Sequence, residues 1–406
     1  MSPTQDARDL KKGSLSMRIA IFLNIRFYFD GHCYTADERY YEFWATFTEH
    51  PGVSELWLCV PLVEKAGVQG LHRVELAENV HIVGIPISGE GPVSSLLGLI
   101  TTFRFLKRLV LQNRDHWDGL GAVIPNLYGL MFLKQADRYD ISSFAYVRGD
   151  HLKTVSHEYS GLRKLLFTGL ARLQNRLAEL ILRGRAILVV GKALEQKYRR
   201  VSNKVQDIVV STIRRKTQQQ GNRNLDIDID SVSLLYVGRL SREKGVDLLI
   251  ECLSDLNVER QRYSLVIVGE GPEKARLELL AAQLKVNDCV SFAGNLNGVN
   301  LMTHYNTADM LVLPSRTEGV PKVLIEGMCF GLPIVCTGVG GIPYIAIHES
   351  NALVVPPESV DCLSEAISRI VEDSALRAKI SAEAMRGFAE YSLETQRERV
   401  LQFLHG

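Results

Sequence analysis

The amino-acid sequence predicts an α/β protein with two doubly wound parallel-sheet domains. Short apolar runs alternate with longer helical patterns along most of the chain. The apolar runs are nearly continuous, which is typical of parallel strands buried on both faces. The alternation is interrupted by one polar stretch without helical period, at 214–230. Two α/β halves of similar size are therefore expected, one on each side of that stretch.

Each predicted element follows from its local pattern. Seven apolar runs of the first half are predicted as strands: 18–23, 55–60, 80–83, 120–124, 144–147, 186–190 and 207–210. Five segments with helical periodicity separate them: 37–50, 95–113, 128–138, 160–183 and 192–200. Six strands are predicted in the second half: 234–237, 264–268, 290–293, 310–313, 333–336 and 352–355. The last helix is expected to begin after Ser392, whose side chain suits an N-cap.

These elements define the predicted domain ranges. They are a polar extension at 1–16, a first domain at 17–213, a linker at 214–230, a second domain at 231–391 and a helix at 392–406 that crosses back to the first domain. Ligands of open parallel sheets bind at the carboxyl ends of the strands, so we expect the functional site there.

Composition argues against several classes of protein. With 406 residues, 46% of them hydrophobic, the chain is long enough for two cores. A net charge of +1 gives no indication of nucleic-acid binding. The seven cysteines include no C-x-x-C pair and are expected to be reduced thiols of a cytoplasmic protein. The polar first 16 residues and the absence of an 18-residue apolar run predict neither a signal peptide nor a membrane-spanning helix.

Two glutamates eight residues apart, Glu318 and Glu326, are the strongest functional signal. The strand at 310–313 breaks at Pro314, a loop carries Glu318, and Pro321 is expected to occupy the first position of a helix that contains Glu326. The N–H groups of a helix start bind phosphate, and carboxylates accept hydrogen bonds from sugar hydroxyls. Alone, the pair is equally compatible with two solvated glutamates on a surface helix.

Three further segments follow strands of the second half. Arg239 and Lys244 lie just after one strand, where two cations can neutralise a diphosphate. Gly269 begins a G-x-G turn that resembles a dinucleotide fingerprint, but Lys274 stands where the third glycine would be, which disfavours an oxidoreductase. A glycine-rich turn at 337–343 follows another strand. The aspartates at 226–230 are interpreted as solvated linker residues, because no further metal ligand is near in sequence.

In this order and spacing, the segments resemble family 4 of the glycosyltransferases, retaining enzymes with the GT-B fold of two Rossmann-like domains that face a cleft. The resemblance covers about 232–404. Its motifs are Gly238-Arg239 with Lys244-Gly245, the E-x7-E pair Glu318/Glu326, Gly331-x-Pro333, Gly340-Gly341-x-Pro343 and Val355-Pro-Pro357. It implies transfer of a sugar, of the hexosyltransferase type, from a UDP- or GDP-linked donor to a saccharide acceptor, with no metal or other cofactor required.

The resemblance also implies roles for individual residues. Arg239 and Lys244 would bind the donor diphosphate and stabilise it as a leaving group. Glu326 would accept hydrogen bonds from the ribose, and Glu318 would hold the hydroxyls of the transferred sugar. The remaining residues expected around the donor are Gly238, Gly269, Gly319, Val320, Pro321 and Lys322.

The first half matches the family less closely. Many relatives place a histidine near the end of a central strand, where this chain has Gly149. Arg148, Asp150 or His151 could supply polar contacts instead, and we select Asp150 as the catalytic candidate, although it could equally cap the following helix. Gly31 and His32 lie where relatives carry a flexible loop over donor and acceptor, so they are further candidates on the acceptor side.

Basic amphipathic patterns suggest an anionic surface as a partner. Residues 160–216 contain 14 lysines and arginines but three acidic residues. The segments 161–182 and 96–112 combine leucines with basic residues, a pattern that can rest on anionic membranes. We therefore expect a cytoplasmic protein in peripheral contact with the inner face of the membrane and with a lipid-linked acceptor. The alternative is that these helices simply pack into the first domain.

Other functions use the same fold and stay open at this point. A nucleotide-sugar epimerase would convert the donor without an acceptor. A non-catalytic subunit would bind the nucleotide-sugar without turnover. A glycogen-phosphorylase-like enzyme would need a pyridoxal lysine site and a much longer chain, neither of which the sequence offers.

Overall fold

The computed structural model describes residues 16–36, 40–64, 72–86, 92–149, 161–218, 225–259, 262–296 and 298–405. The chain divides into two compact units, Met1–Thr212 with Arg397–Gly406, and Ile213–Gln396. Each unit is built on a largely parallel sheet, so the predicted α/β class with two parallel-sheet domains is confirmed.

The sheet of the first unit contains ten strands among the described residues. They are β1 (Met17–Phe22), β2 (Phe27–Phe29), β3 (Tyr34–Ala36), β4 (Val53–Glu64), β5 (His72–Arg73), β6 (Val80–Ile85), β7 (Gly119–Ile124), β8 (Ser142–Val147), β9 (Ala186–Val190) and β10 (Val205–Ile208). Their order is β10-β9-β8-β7-β1-β4-β2-β3-β5, and β6 also pairs with β4. The last strand begins at Val205, two residues earlier than predicted.

Strands β2, β3 and β5 were not predicted from the sequence. β2 runs parallel to the end of β4, and β3 is antiparallel to both β2 and β5. Aromatic packing explains why β2 forms. Phe27 is fully buried and packs edge-on against Tyr41, with 5.4 Å between the ring centroids. Burial of that ring fixes a segment whose polar neighbours suggested a loop.

Five α-helices in the described part of the first unit lie between these strands. They are α1 (Tyr41–Ala45), α2 (Pro92–Asn113), α3 (Leu127–Tyr139), α4 (Gly161–Leu182) and α5 (Lys192–Tyr198). The helix predicted at 37–50 is shorter than expected in its described part, where α1 continues into a 3₁₀ turn at Thr46–Glu49. Asn126 caps α3, because its side chain accepts hydrogen bonds from the N–H groups of Tyr128 and Gly129 at 2.8 and 3.2 Å.

The second unit contains an entirely parallel sheet. Its strands are β11 (Val232–Val237), β12 (Tyr263–Val268), β13 (Val290–Gly294), β14 (Met310–Leu313), β15 (Ile334–Thr337) and β16 (Leu353–Val355), in the order β13-β12-β11-β14-β15-β16. The strand order reverses between β11 and β14. In sheets of this kind, ligands bind at that switch point, beyond the carboxyl ends of the strands.

Helices connect the strands of the second unit. They are α6 (Val246–Leu256), α7 (Lys274–Gln283), α8 (Gly298–Thr307), α9 (Lys322–Cys329), α10 (Val360–Glu372), α11 (Ser374–Tyr391) and α12 (Leu393–His405). Short 3₁₀ turns lie at Arg215–Thr217, Arg242–Lys244, Asn287–Cys289 and Ile342–Tyr344. Ser392 caps α12 as predicted, with its hydroxyl oxygen accepting from the N–H of Thr395 at 3.3 Å.

Helix α12 begins in the second unit and ends in the first. Within the first unit, the Arg397 guanidinium donates to the carbonyl of Thr46 at 2.8 Å and to the Glu49 carboxylate at 3.0 Å. In the described part of the chain, no helix is long and apolar enough to cross a bilayer.

Candidate functional site

The switch point of the second unit brings together the four segments singled out in the sequence. Gly238 and Arg239 follow β11, Gly269 follows β12, Glu318 lies in the loop after β14, and the glycine-rich turn follows β15. All four therefore lie at the carboxyl edge of one sheet. They are spread along residues 238–343 of the chain, so it is the fold that makes them neighbours.

The glycines of these segments allow backbones to touch. A Cβ atom on Gly340 would lie 1.8 Å from the carbonyl oxygen of Glu318, and one on Gly341 would lie 2.0 Å from that of Gly319. Gly340 also has a φ of +57°, which L-residues rarely adopt. The glycine-rich turn thus packs directly on the backbone of the Glu318 loop.

The other segments are joined in the same way. A Cβ atom on Gly269 would lie 1.9 Å from the carbonyl oxygen of Gly238, so the turn after β12 lies against the turn after β11. A Cβ atom on Gly245 would lie 2.1 Å from the carbonyl oxygen of Pro314. This contact joins the segment of Lys244 to the segment of Glu318.

Lys244 and Glu318 form an ion pair at the centre of the site. The Lys244 Nζ donates to Glu318 Oε1 at 2.7 Å, and the Ser315 hydroxyl donates to the same oxygen at 2.9 Å. The Glu318 side chain is 8% exposed and that of Lys244 is 25% exposed. The pair therefore combines a cation suited to phosphate with a carboxylate suited to hydroxyl groups.

Arg239 is exposed and forms no ion pair within the described ranges. Its backbone is held by the buried Tyr236, whose hydroxyl donates to the Arg239 carbonyl oxygen at 3.1 Å. The turn is therefore fixed while the guanidinium extends toward solvent. Such a group can bind an anion without first losing a protein partner.

Glu326 lies within α9, and its carboxylate is hydrogen-bonded to a tyrosine of α8. The Tyr305 hydroxyl donates to Glu326 Oε2 at 2.5 Å. Burial raises the pKa of Glu326, whereas the hydrogen bond from Tyr305 and the positive charge of Lys322 oppose that rise. Sequence reasoning missed Tyr305, because it belongs to no motif and lies in the helix before β14.

Helix α9 begins one residue later than predicted. Pro321 is the N-cap, with extended backbone at φ −73° and ψ 119°, rather than the first helical residue, and Lys322 starts the helix. The helix ends at Cys329, where Gly331 adopts φ +62° and the Leu332 N–H donates to the Gly327 carbonyl at 3.0 Å. Gly319 and Val320 thus form the approach to an N-terminus without a side-chain cap.

Arg316 is a second residue that sequence reasoning missed. Its guanidinium donates to both carboxylate oxygens of Asp247 at 2.7 and 3.3 Å, and to the Arg242 carbonyl at 2.8 Å. Its own N–H donates to the Glu243 carbonyl at 2.8 Å. Burial works to raise the pKa of Asp247, but Arg316 and Arg276 lower it overall. Arg316 therefore fastens the Glu318 loop to the turn that carries Lys244.

The first unit contains a cavity of about 490 Å³ at the carboxyl ends of β1, β7 and β8. Its lining includes Asn24, Asn126, Arg148 and Gly149. The Asn126 side chain donates to Asn24 Oδ1 at 2.8 Å, and the Arg148 guanidinium lies 3.9 Å above the ring of Tyr40. Arg148 is thus placed in a cavity on the expected acceptor side, and its role there stays a prediction.

Among the described candidates of the first unit, Gly31 and His32 do not line this cavity. Asp150 and His151 lie outside the described residues. Gly31 and His32 form the turn between β2 and β3, where the Asp30 carboxylate accepts from the His32 N–H at 2.9 Å. Backbone N–H groups of Cys33 and His32 lower the pKa of Asp30 to about 2.

No group of three or more His, Cys, Asp or Glu side chains in the described part of the chain could hold a metal ion. The aspartates at 226–230 belong to that part and form no such group.

Comparison with known proteins gives a family match for the second unit. Residues 218–386 match the family model described as glycosyl transferases group 1. The chain is 35% identical over 168 residues to an uncharacterized glycosyltransferase of Methanocaldococcus jannaschii, covering 41% of this chain and 43% of that protein. It is 31% identical over 165 residues to the alpha-D-kanosaminyltransferase of Streptomyces kanamyceticus, covering 40% and 43%. The chain thus spans less than half the length of these relatives.

Solved structures resemble nearly the whole chain. HepE of Anabaena in complex with UDP superposes with a TM-score of 0.69 at 13% identity, covering 96% of this chain and 100% of that one. Sucrose-phosphate synthase from Thermosynechococcus elongatus gives 0.67 at 19% identity, covering 96% and 98%. WaaG, a glycosyltransferase of lipopolysaccharide biosynthesis, gives 0.65 at 17% identity, covering 96% and 100%. These similarities confirm the predicted GT-B fold.

Proposed function

We propose, from the match of residues 218–386 to the group 1 glycosyl transferases, that the protein is a retaining glycosyltransferase. It transfers a sugar from a nucleotide-diphosphate donor to a saccharide acceptor, in polysaccharide or glycoconjugate biosynthesis. The observation that carries the proposal is the Lys244–Glu318 ion pair at the switch point of the second sheet.

The chemistry of glycosyl transfer requires both members of this pair. Cleavage of a nucleotide-sugar leaves negative charge on the diphosphate and positive character on the sugar. Lys244 and Arg239 stabilise the first charge, together with the N-terminus of α9. The Glu318 carboxylate holds the sugar hydroxyls and adds negative charge near the reacting carbon. Because the ion pair already exists before the donor binds, neither group has to be brought in during the reaction.

Two variants separate donor binding from turnover. Glu326→Ala removes the acceptor of the ribose hydroxyls and should weaken donor binding. Glu318→Ala should reduce turnover more than donor affinity, because its contacts involve the transferred sugar. Lys379→Ala, an exposed lysine on α11, serves as the control for loss of a surface charge in the same unit. Unchanged kinetics in both glutamate variants would refute the site.

The donor is proposed to carry UDP or GDP. One solved neighbour is a complex with UDP, and one relative is a GDP-mannose-dependent mannosyltransferase of Mycobacterium tuberculosis. A thermal-shift screen of the full chain against UDP- and GDP-sugars at equal concentration decides between them, since the ligand that binds the folded chain more tightly raises the melting temperature more. The nucleotide with the largest shift is the donor nucleotide.

Retention of configuration and independence from metals complete the proposal. Retention follows from the family resemblance, and the anomeric signals of the product in NMR spectra measure it. Arg239, Lys244 and the start of α9 supply positive charge that a metal would otherwise provide, so the rate should not change in EDTA. Conversion of the donor to an epimer without acceptor would point to an epimerase instead.

Helix α4 supports contact with an anionic membrane surface. Leu170, Leu173, Leu177 and Leu180 recur at helical spacing and are each at least 44% exposed. Three arginines of the same segment, Arg172, Arg176 and, directly after the helix, Arg183, are exposed as well. Apolar side chains flanked by arginines fit a surface of anionic lipid, where a lipid-linked saccharide acceptor would lie.

Vesicle flotation tests this contact. The full chain should float with vesicles rich in phosphatidylglycerol at low salt and not with neutral phosphatidylcholine vesicles. Glu in place of both Leu173 and Leu177 should abolish flotation, whereas Leu279→Glu, an exposed leucine of α7 in the second unit, should not. Absence of binding at low salt would exclude the membrane contact while leaving the transferase proposal intact.

A further inference from the structure

Tyr305 is a buried tyrosine whose hydroxyl group points at a candidate functional carboxylate. It lies in the last turn of α8 and is 1% exposed. Its hydroxyl donates to Glu326 Oε2 at 2.5 Å, and its ring stacks on Phe330 with centroids 5.2 Å apart and planes 4° from parallel. The ring and the hydroxyl of Tyr305 are therefore both engaged by the same segment of chain.

The spacing of these partners explains the geometry. Glu326 and Phe330 are four residues apart, so their side chains lie on the same side of α9, one turn apart. The stacked ring sets where the phenol lies, and the phenol then sets the direction of the carboxylate. Without this contact, the last torsion of a glutamate side chain is broad and only weakly fixed.

The hydrogen bond also defines which oxygen remains available to a ligand. A carboxylate accepts through two oxygens, and Tyr305 uses Oε2. Burial and the neighbouring Glu326 raise the pKa of Tyr305 far above its ordinary range, so the phenol keeps its proton and acts as the donor. The Tyr305 hydroxyl thus stabilises the negative charge of Glu326 at Oε2, and Oε1 can face the donor site.

We propose that Tyr305 is a positioning residue of the donor site, which fixes the Glu326 carboxylate so that Oε1 accepts hydrogen bonds from the ribose hydroxyls of the nucleotide. This inference rests on the proposed function, because it requires Glu326 to contact the ribose. It adds a residue outside every motif to the site, and it makes ribose recognition depend on a contact between α8 and α9.

The test removes only the phenol oxygen. Tyr305→Phe keeps the ring stacked on Phe330 and deletes the donor to Glu326. The affinity of the full-length variant is measured by calorimetry for UDP or GDP, whichever the thermal-shift screen selects, and for the 2′,3′-dideoxy form of the same nucleotide. We expect about a 10-fold loss of affinity for the ribonucleotide, the order expected for a hydrogen bond to a charged group, and less than about a 2-fold change for the dideoxy form.

Tyr263→Phe is the matched control. Tyr263 is equally buried, in β12 of the same unit, and within the described residues its hydroxyl has no hydrogen-bond partner. Its loss should change neither affinity. If the Tyr305 hydroxyl had a purely structural role, Tyr305→Phe would lower the affinity for both nucleotides equally or for neither. Either result overturns the inference.

A double variant keeps the inference testable if Tyr305→Phe is less stable. Combined with Glu326→Ala, it should bind the ribonucleotide no more weakly than Glu326→Ala alone, because both changes remove one contact. Additive losses would contradict the inference. If Glu326→Ala itself leaves affinity unchanged, the ribose contact of the proposed function fails; if only Tyr305→Phe is without effect, the positioning role alone fails.

Discussion

Replacement of Gly340 by alanine tests whether the glycine-rich turn holds the Glu318 loop in place. Gly340 adopts φ +57°, and a Cβ atom there would lie 1.8 Å from the carbonyl oxygen of Glu318. The side chain of that same glutamate binds Lys244 at 2.7 Å. The added methyl group therefore acts on the backbone of the very residue proposed to hold the transferred sugar.

The size of the effect follows from two distances. A carbon atom approaches a carbonyl oxygen to about 3.3 Å, so the turn and the Glu318 loop must separate by about 1.5 Å. A misplacement of about 1 Å at a reacting centre can cost about 100-fold in rate. We therefore expect turnover of Gly340→Ala to fall at least about 100-fold.

The cost in stability is smaller and can be separated from the loss of rate. An L-residue in the left-handed region costs about 1–2 kcal/mol. For a unit of this size, each kcal/mol lowers the melting temperature by about 2–4 °C. Separation of the turn from the Glu318 loop adds to this cost, so thermal denaturation first establishes that the variant is folded at 25 °C, where its turnover is measured with the donor identified by thermal shift.

Gly338→Ala is the matched control within the same turn. Its Cβ atom would meet only the Val354 Cγ1 methyl, at 3.2 Å, along with a backbone oxygen at 3.8 Å. A flexible methyl group can give way, so turnover should change no more than about 2-fold, as for an ordinary surface substitution. Wild-type turnover by folded Gly340→Ala would refute the reasoning, because the Glu318 backbone would then be free of this turn or irrelevant to the reaction.

Three further outcomes follow from the structure. Arg316→Lys loses the two-pronged contact with Asp247 and should lower the free energy of unfolding by about 1.5–3 kcal/mol, measured by urea denaturation; an unchanged midpoint would contradict it. Asn126→Ala removes the cap of α3 and should cost about 1 kcal/mol, visible by calorimetry as a lower melting temperature of the first unit, and no shift would mean that the cap is dispensable. Burial raises the pKa of Glu326, so the folded chain binds this proton more tightly than the unfolded chain does, and stability falls as pH rises from the ordinary glutamate range through the folded pKa. Glu326→Gln should therefore melt higher than the wild type at neutral pH and not in acid, and a lower melting temperature at neutral pH would contradict the sign.

Most of the fold could be predicted because its strands are buried on both faces. Every strand of the second sheet lies within two residues of its predicted bounds. A strand covered by helices on both sides must be apolar throughout, and such a run is visible in the sequence without any partner. The order of the strands, and hence the switch point between β11 and β14, has no such local signal and required the structure.

Short strands at the edge of the first sheet could not be predicted. β2 and β3 contain three residues each and β5 contains two, too few to show a period. They form because β2 pairs with the long end of β4, where Phe27 lies opposite Leu62. Such pairing depends on a distant partner, so a loop was the natural interpretation of 26–34.

The contacts of the candidate site likewise differ in whether the sequence reveals them. Gly245, Gly269 and Gly340 each replace a side chain that would collide with a backbone carbonyl, so the fold requires glycine at these positions and no other residue. A close contact between two backbones therefore requires a glycine, which is visible in the sequence. This is why the motif segments could be recognised. Contacts of Tyr305 and Arg316 leave no comparable trace, since tyrosine and arginine serve many purposes elsewhere in the chain. The segments of the candidate site can thus be recognised in the sequence, whereas the contact between Tyr305 and Glu326 is visible only in the packing of α8 against α9.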